Sequence, residues 1–253
     1  MRAARVALKK KEVTLFGKKR YTTLPQKKRK ANMTAWSYSS INTFKQCPKK
    51  YYHLKVAKDV KDTGSQAMLY GNQVHKAAEN FIKEGTPIPK KFEYMNPIVN
   101  SLNAIEGDKH CELRFGVAYD GNEHTPTTFF AKDVWWRGIA DLIIVDGEKA
   151  FLIDYKTGKN AKYADTAQLD LLAAATFTHF PEVNHIKSAL AYVVSNEFIK
   201  KDHTRELQSS YYATFDELLE ALAAAEKHNV WNAISNPLCG WCPVTSCEHH
   251  RKR

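Results

Sequence analysis

Apolar residues first recur at helical spacing in Ile41, Phe44, Tyr51 and Leu54, with Ser37 and Ser39 upstream as N-cap residues and Pro48 placed to bend or break the helix near Cys47. A second helix is expected over about Gln66 to Lys83, with Val74, Ala78 and Phe81 on one face, stopping at Gly85 before Pro87. A third runs near Tyr94 to Ile105. The period then changes. Glu112 to Tyr119 alternates as a strand, and Asp133 to Val145 and Ala150 to Lys156 read as a hairpin around Asp146-Gly147. Thr166 to Phe180 is an Ala- and Leu-rich helix stopped by Pro181, and Ile186 to Ser195 is a buried strand. Thr214 with Glu217 forms a capping box for a long helix toward Ile234, ended by Asn236-Pro237. Helices, a three-strand meander, a helix and another strand make an α/β chain with a mixed sheet flanked by helices.

The 253 residues, 43% of them hydrophobic, suffice for one good core. No run approaches the ~18 apolar residues of a membrane span, and no secretory pattern opens the chain, so the expected location is cytoplasmic. The formal charge of +11 invites a polyanion partner, but its distribution weakens that reading. The first 32 residues hold 12 Lys or Arg against Glu12 alone, which accounts for all of the +11; the rest carries 26 basic and 26 acidic residues. Residues 1–33 therefore read as a basic flexible tail, and 34–253 as one domain. The tail is either a bland solvated extension or an arm with salt-sensitive affinity for DNA. Met33, ahead of Thr34 to Ser37, reads as an alternative start.

The hairpin carries the chemistry. In an antiparallel pair the residue numbers have a constant sum, and pairing Asp146 with Lys149 gives 295, which also pairs Asp141 with Asp154. The two carboxylates are then expected opposite each other on one face, with Lys156 two residues along. Like charges facing each other in a hairpin whose faces are otherwise apolar, Ile143, Val145 and Leu152 on one and Leu142, Ile144, Phe151 and Ile153 on the other, need compensation, and a hard divalent cation supplies it. The bland alternative is a pair of ordinary hairpin acids at a sheet edge.

Gly138-Ile139-Ala140-Asp141 followed by Ile153-Asp154-Tyr155-Lys156-Thr157-Gly158 resembles the PD-(D/E)XK nuclease superfamily in its RecB-like branch. The likeness runs from about Ser37 to His249. It implies a restriction-endonuclease-like core and hydrolysis of DNA phosphodiester bonds with Mg2+ or Mn2+, as an exonuclease in recombination, repair or phage DNA processing. By the same resemblance the metal ligands are His75 (in Gly71-Asn72-Gln73-Val74-His75), Asp141, Asp154 and the backbone carbonyl of Tyr155. The catalytic set is Asp141, Asp154, Lys156, Glu112 (in Glu-Leu-Arg-Phe) and Gln168. Alone, a helical His is more often structural and Glu112 an ordinary surface glutamate. The family's tyrosine four residues after the glutamine is replaced by Leu172, with Tyr163 as a substitute. DNA ends or single-stranded regions are the implied partner, with a recombination or replication protein besides.

Five cysteines, an odd number, argue against a disulfide framework. Cys239, Cys242 and Cys247 form C-x2-C-x4-C, and Cys47 stands far upstream. The layout resembles iron-sulfur RecB-like nucleases of the AddB and CRISPR-adaptation types, implying a 4Fe-4S cluster that joins the N- and C-terminal segments. Zinc on the thiolates, with His249 or His250 as an alternative ligand, and no metal at all stay open. Cys111 reads as a buried apolar residue. Trp36, Tyr38, Tyr51 and Tyr52 read as core aromatics, with stacking on unpaired bases as the second reading. Two other functions stay in view: a catalytically inert DNA-binding or assembly module, and a zinc-containing basic DNA-binding protein.

Overall fold

The computed structural model describes residues 34–61, 64, 66–162 and 164–251. The basic tail, including Met33, and Tyr163 lie outside the described residues. Six strands make one mixed sheet: β1 (Asp108–Tyr119), β2 (His124–Thr127), β3 (Val134–Asp146), β4 (Lys149–Lys156), β5 (His185–Tyr192) and β6 (Glu197–Thr204), in the order β2-β1-β3-β4-β5-β6. The β3–β4 turn places Gly147 at φ +57, where glycine carries no steric cost. Its register pairs Asp146 with Lys149 and Leu142 with Ile153, the expected sum. Strand β4 is parallel to β5, which demands a crossover, and helix α5 (Ala167–His179) provides it.

Helices cover both faces. Helices α1 (Tyr38–Gln46), α5, α6 (Gln208–Ala213) and α7 (Asp216–His228) pack on one side, through Ile41, Phe44, Tyr212, Phe215, Leu219 and Leu222. Helices α3 (Gln66–Glu84) and α4 (Asn96–Asn103) pack on the other, through Val74, Ala78, Ile98 and Leu102. Every residue of α5 from Leu169 to Phe177 is buried, which explains its Ala-rich, almost uniformly apolar sequence: neighbours press on all its sides.

Two polar devices fix α5, which carries Gln168. Asp170 accepts Lys201 Nζ at 2.7 Å, and His203 Nδ1 lies 3.4 Å from the same carboxylate. The other ring nitrogen of His203 meets Ser188 Oγ at 2.7 Å. Burial pushes the His203 pKa down to about 4, so the imidazole is neutral. At the helix C-terminus, the Arg205 guanidinium donates to the carbonyls of Phe177 (2.9 Å) and Phe180 (2.7 Å), acceptors that the helix itself leaves open.

Several elements differ from expectation. Ser37, not Ser39, caps α1, in a reciprocal pair with Ser40. Pro48 starts a separate short helix, α2 (Pro48–Tyr51), whose missing N–H costs nothing at a first turn, and a π-type turn over Tyr52–Val56 continues it. The Tyr94–Ile105 stretch divides into a 3-10 segment, Lys90–Met95, and α4. Strand β1 starts at Asp108, four residues earlier than its alternation suggests, and the meander becomes part of a six-stranded sheet. The polar strands β2 (HTPT) and β6 (EFIKKDHT) lack the apolar alternation of central strands because they form the sheet's two edges. The Thr214–Glu217 box is absent: Thr214 Oγ1 donates to Tyr211 O, and Phe215 holds the N-cap position of α7. That helix ends at His228, with Asn229 at φ +50, rather than near Ile234. Trp36 and Tyr51 are buried in the core. No helix among the described residues is long and apolar enough to cross a membrane.

Candidate active site

Besides a bulge at Val117–Ala118, the regular alternation of β1 and β3 breaks at the row of Glu112. Cys111 pairs with Leu142 and Leu113 with Ala140, but no pairing joins Glu112 to Asp141 between them. Glu112 adopts φ +52, a left-handed conformation costing a non-glycine residue roughly 1–2 kcal/mol. Side chains change faces there: Cys111 and Leu142 pack against the α3 side, whereas Leu113 and Ala140 pack against the α5 side. The break turns both carboxylates toward α3, where His75 waits. Ligand atoms of His75, Glu112 and Asp141 all lie within 4.8 Å of one another.

Further contacts tighten this group. Asp141 Oδ1 is 3.3 Å from His75 Nδ1, and its Oδ2 accepts the Tyr155 N–H at 2.7 Å. His75 Nε2 lies 3.1 Å from the Tyr155 carbonyl oxygen. An octahedral ion about 2.1 Å from each ligand spaces adjacent donors ~3 Å apart and opposite donors ~4.2 Å apart. Two carboxylates and an imidazole that converge this closely, with the Tyr155 carbonyl on the other ring nitrogen of His75, are donors whose chemistry suits one hard divalent cation.

Asp154 and Lys156 complete the site from the α5 side. Lys156 Nζ is 2.6 Å from Asp154 Oδ2 and donates to Gln168 Oε1 at 3.3 Å. This is a difference from the expected shared face. Backbone pairing of the hairpin stops at Leu142–Ile153, so Asp141 folds toward the Tyr155 N–H and His75 while Asp154 turns toward Lys156. Asp154 is 4% exposed and stands outside the tight His75–Glu112–Asp141 group.

The electrostatics call for a cation. Burial, and then the charge of Asp141, push Asp154 up to about 6 against the pull of Lys156. Burial and Asp141 likewise raise Glu112. For His75, burial lowers the pKa, but the hydrogen bond to Asp141 and the surrounding carboxylate charges outweigh it, and the net direction is upward. Crowded anions and a histidine drawn toward its charged form make a site whose charge a bound cation would balance.

Two positioning residues escaped the sequence reading. Asp165 Oδ1 accepts the Ala167 N–H at 3.0 Å at the start of α5, and its Oδ2 accepts Tyr38 Oη at 2.7 Å, tying α1 to the turn before Gln168. Asp165-Thr166 ahead of an apolar run was the available signal. Position 172 is not a substrate contact: Leu172 is buried, and an added Cβ on Gly138 would lie 3.3 Å from it and 2.4 Å from the Trp136 ring. The glycine of Gly138-Ile139-Ala140-Asp141 thus admits close packing beside the carboxylate strand.

Cys47, Cys239, Cys242 and Cys247 line one cavity together with His250, while His249 is not among its lining residues. Backbone N–H groups of Ile234 and Asn236 donate to Cys47 Sγ (3.5 Å) and Cys239 Sγ (3.3 Å). Cys111 stands apart, buried at the α3 side, with burial pushing its thiol up.

A family model of the PD-(D/E)XK nuclease superfamily matches residues 35–247. No curated protein sequence matches the chain. Among solved structures, a candidate exonuclease from Eubacterium rectale superposes with TM-score 0.50 at 14% identity, covering 87% of this chain and 89% of its own. SSO0001 superposes with TM-score 0.46 at 12% identity, covering 88% and 91%. The likeness to the first is one of fold.

Proposed function

Because the chain belongs to the PD-(D/E)XK nuclease superfamily, we propose that it is a Mg2+- or Mn2+-dependent deoxyribonuclease acting as an exonuclease in recombination, repair or phage DNA processing. The observation carrying this reading is the meeting of His75, Glu112 and Asp141 within 4.8 Å beside the Lys156–Asp154 pair. Those three residues and the Tyr155 carbonyl, with Asp154 adjoining, would hold a divalent cation, which when bound would supply polarisation of the phosphate and a lowered pKa for the attacking water. The Lys156 ammonium stabilises negative charge on the phosphate oxygens, and Asp154 holds it in place. Gln168, accepting from Lys156 through Oε1, keeps its amide N–H groups to orient water or phosphate.

The four cysteines are proposed to hold a 4Fe-4S cluster joining the N- and C-terminal ends of a single nuclease domain, residues 34–253. Their shared cavity and the two N–H···S hydrogen bonds support this. Zinc is less favoured. Four thiolates around one zinc at Zn–S ~2.3 Å stand ~3.8 Å apart, whereas His75, Glu112 and Asp141 are the only group of three or more His, Cys or acidic residues among the described residues to meet within 4.8 Å. An absorption spectrum and metal analysis after anaerobic purification test the assignment; a colourless protein with stoichiometric zinc overturns it.

For the nuclease, the test incubates end-labelled linear DNA and circular DNA with the protein and magnesium or manganese, beside Asp154→Ala and Lys156→Ala. Release of label from linear DNA by wild type alone is the expected result. Equal activity of wild type and variants sinks the mechanism, cleavage of circles at the same rate sinks the exonuclease assignment, and binding without cleavage identifies an inert module.

A further inference from the structure

Beyond the carboxylate row, the α3-side face of β1 and β3 continues into an open surface. Leu113, Phe115, Val117, Trp136 and Ala140 pack on the α5 side, so Arg114, Arg137 and Ile139 between them point the other way, toward the face of His75. Arg114 is two residues from Glu112 and Arg137 four from Asp141, or about 7 and 14 Å along the strands. Arg114 is exposed, and Ile139 is 38% exposed.

An aromatic pair lies on this surface. The 128–130 segment crosses directly above Gly116, where an added Cβ would meet the Thr128 carbonyl oxygen at 2.4 Å. That close approach lays the Phe129 ring between the two arginines, at 5.8 Å from Arg114 Cζ and 5.4 Å from Arg137 Cζ. Phe130 packs edge-on against Phe129 at 4.9 Å and is 74% exposed. Neither guanidinium has an ion-pair partner among the described residues, and the buried Nε of Arg137 has no hydrogen-bond acceptor. A half-buried arginine with an unused donor is costly unless an anion completes it.

We propose that Arg114, Arg137 and Phe130 form a track for one unpaired nucleic-acid strand leading to the metal carboxylates, an inference that rests on the nuclease reading. The arginines hold the phosphates next to the scissile one, and the exposed Phe130 ring stacks on an adjacent base. A phosphate chain explains the paired positive charge, and a base face explains a large exposed ring beside it. Duplex DNA explains only the first, since its bases are already stacked.

The test measures fluorescence anisotropy of a short fluorescein-labelled single-stranded DNA, with calcium in place of magnesium, across a salt series. Arg114→Gln and Arg137→Gln are each expected to weaken binding about tenfold and to lower the salt slope of log Kd by roughly 0.7. Phe130→Ala weakens single-strand binding by about tenfold and leaves blunt duplex binding nearly unchanged. In turnover with magnesium, KM rises and kcat stays. Arg114→Gln, on an exposed position, keeps the wild-type melting temperature and separates binding from folding. A wild type that neither binds nor cleaves DNA defeats the functional reading. A wild type that cleaves, with variants of unchanged KM and salt slope, defeats the track alone, and equal losses on single strand and duplex for Phe130→Ala overturn the stacking role.

Discussion

Replacing Asp154 by Asn should abolish nuclease activity and yet stabilise the metal-free fold. Asp154 is buried, and burial and Asp141 lift its pKa from 3.8 to about 6 even with Lys156 Nζ at 2.6 Å. A carboxyl whose folded pKa is raised favours folding in its protonated form: that contribution is full below about pH 3.8 and is lost as pH rises through about 6. By linkage, the cost of the ionised form to the folded state grows as pH rises from about 4 and reaches roughly 3 kcal/mol above pH 7. Asparagine has the same shape without the charge. Urea unfolding in EDTA should therefore show Asp154→Asn more stable than wild type by about 1–3 kcal/mol at pH 8, or up to ~10 °C in Tm, with the gain shrinking toward pH 4. A variant less stable than wild type at pH 8, or a gain that does not change with pH, refutes the reasoning.

Other consequences follow from the same geometry. Magnesium should raise the wild-type Tm with the logarithm of its concentration above Kd, and His75→Ala or Asp141→Asn should remove that response in a thermal-shift titration, since each deletes a donor from the proposed ligand group. Asp170→Ala leaves Lys201 and His203 without their shared carboxylate and should cost about 2 kcal/mol in urea unfolding; a neutral result would show that the network does not anchor α5. Gly138→Ala forces a methyl group against Trp136 and Leu172 and should destabilise by about 1–3 kcal/mol, read as a lower Tm.

The β3–β4 register was legible because a Gly-containing tight turn and a fixed index sum leave one pairing, and the structure keeps it from Asp146–Lys149 to Leu142–Ile153. The direction of the Asp141 side chain was not legible. It depends on the left-handed backbone of Glu112 on a neighbouring strand, and glutamate carries no local signal for a positive φ. Helices α3 and α5 announce themselves through stop signals and long apolar patterns, but edge strands β2 and β6 have the composition of loops, because only one side of each is paired. The network of Ser188, His203, Asp170 and Lys201 joins two strands and a helix, so no spacing along the chain reveals it. Gln168 was found by motif, but what aims it, Asp165 capping the helix and Tyr38 holding Asp165, is a contact spanning 127 positions.

On the proposed mechanism, Lys156, held between Asp154 and Gln168 beside the His75, Glu112 and Asp141 group, serves the reaction rather than the fold. The most direct measurement is the single-turnover rate of label release from linear DNA in saturating magnesium, for wild type and Lys156→Ala, with Tm and magnesium response recorded on the same samples. A rate lower by about 100-fold or more, with the magnesium-induced Tm shift retained, is the predicted result. A variant that cleaves at the wild-type rate contradicts it.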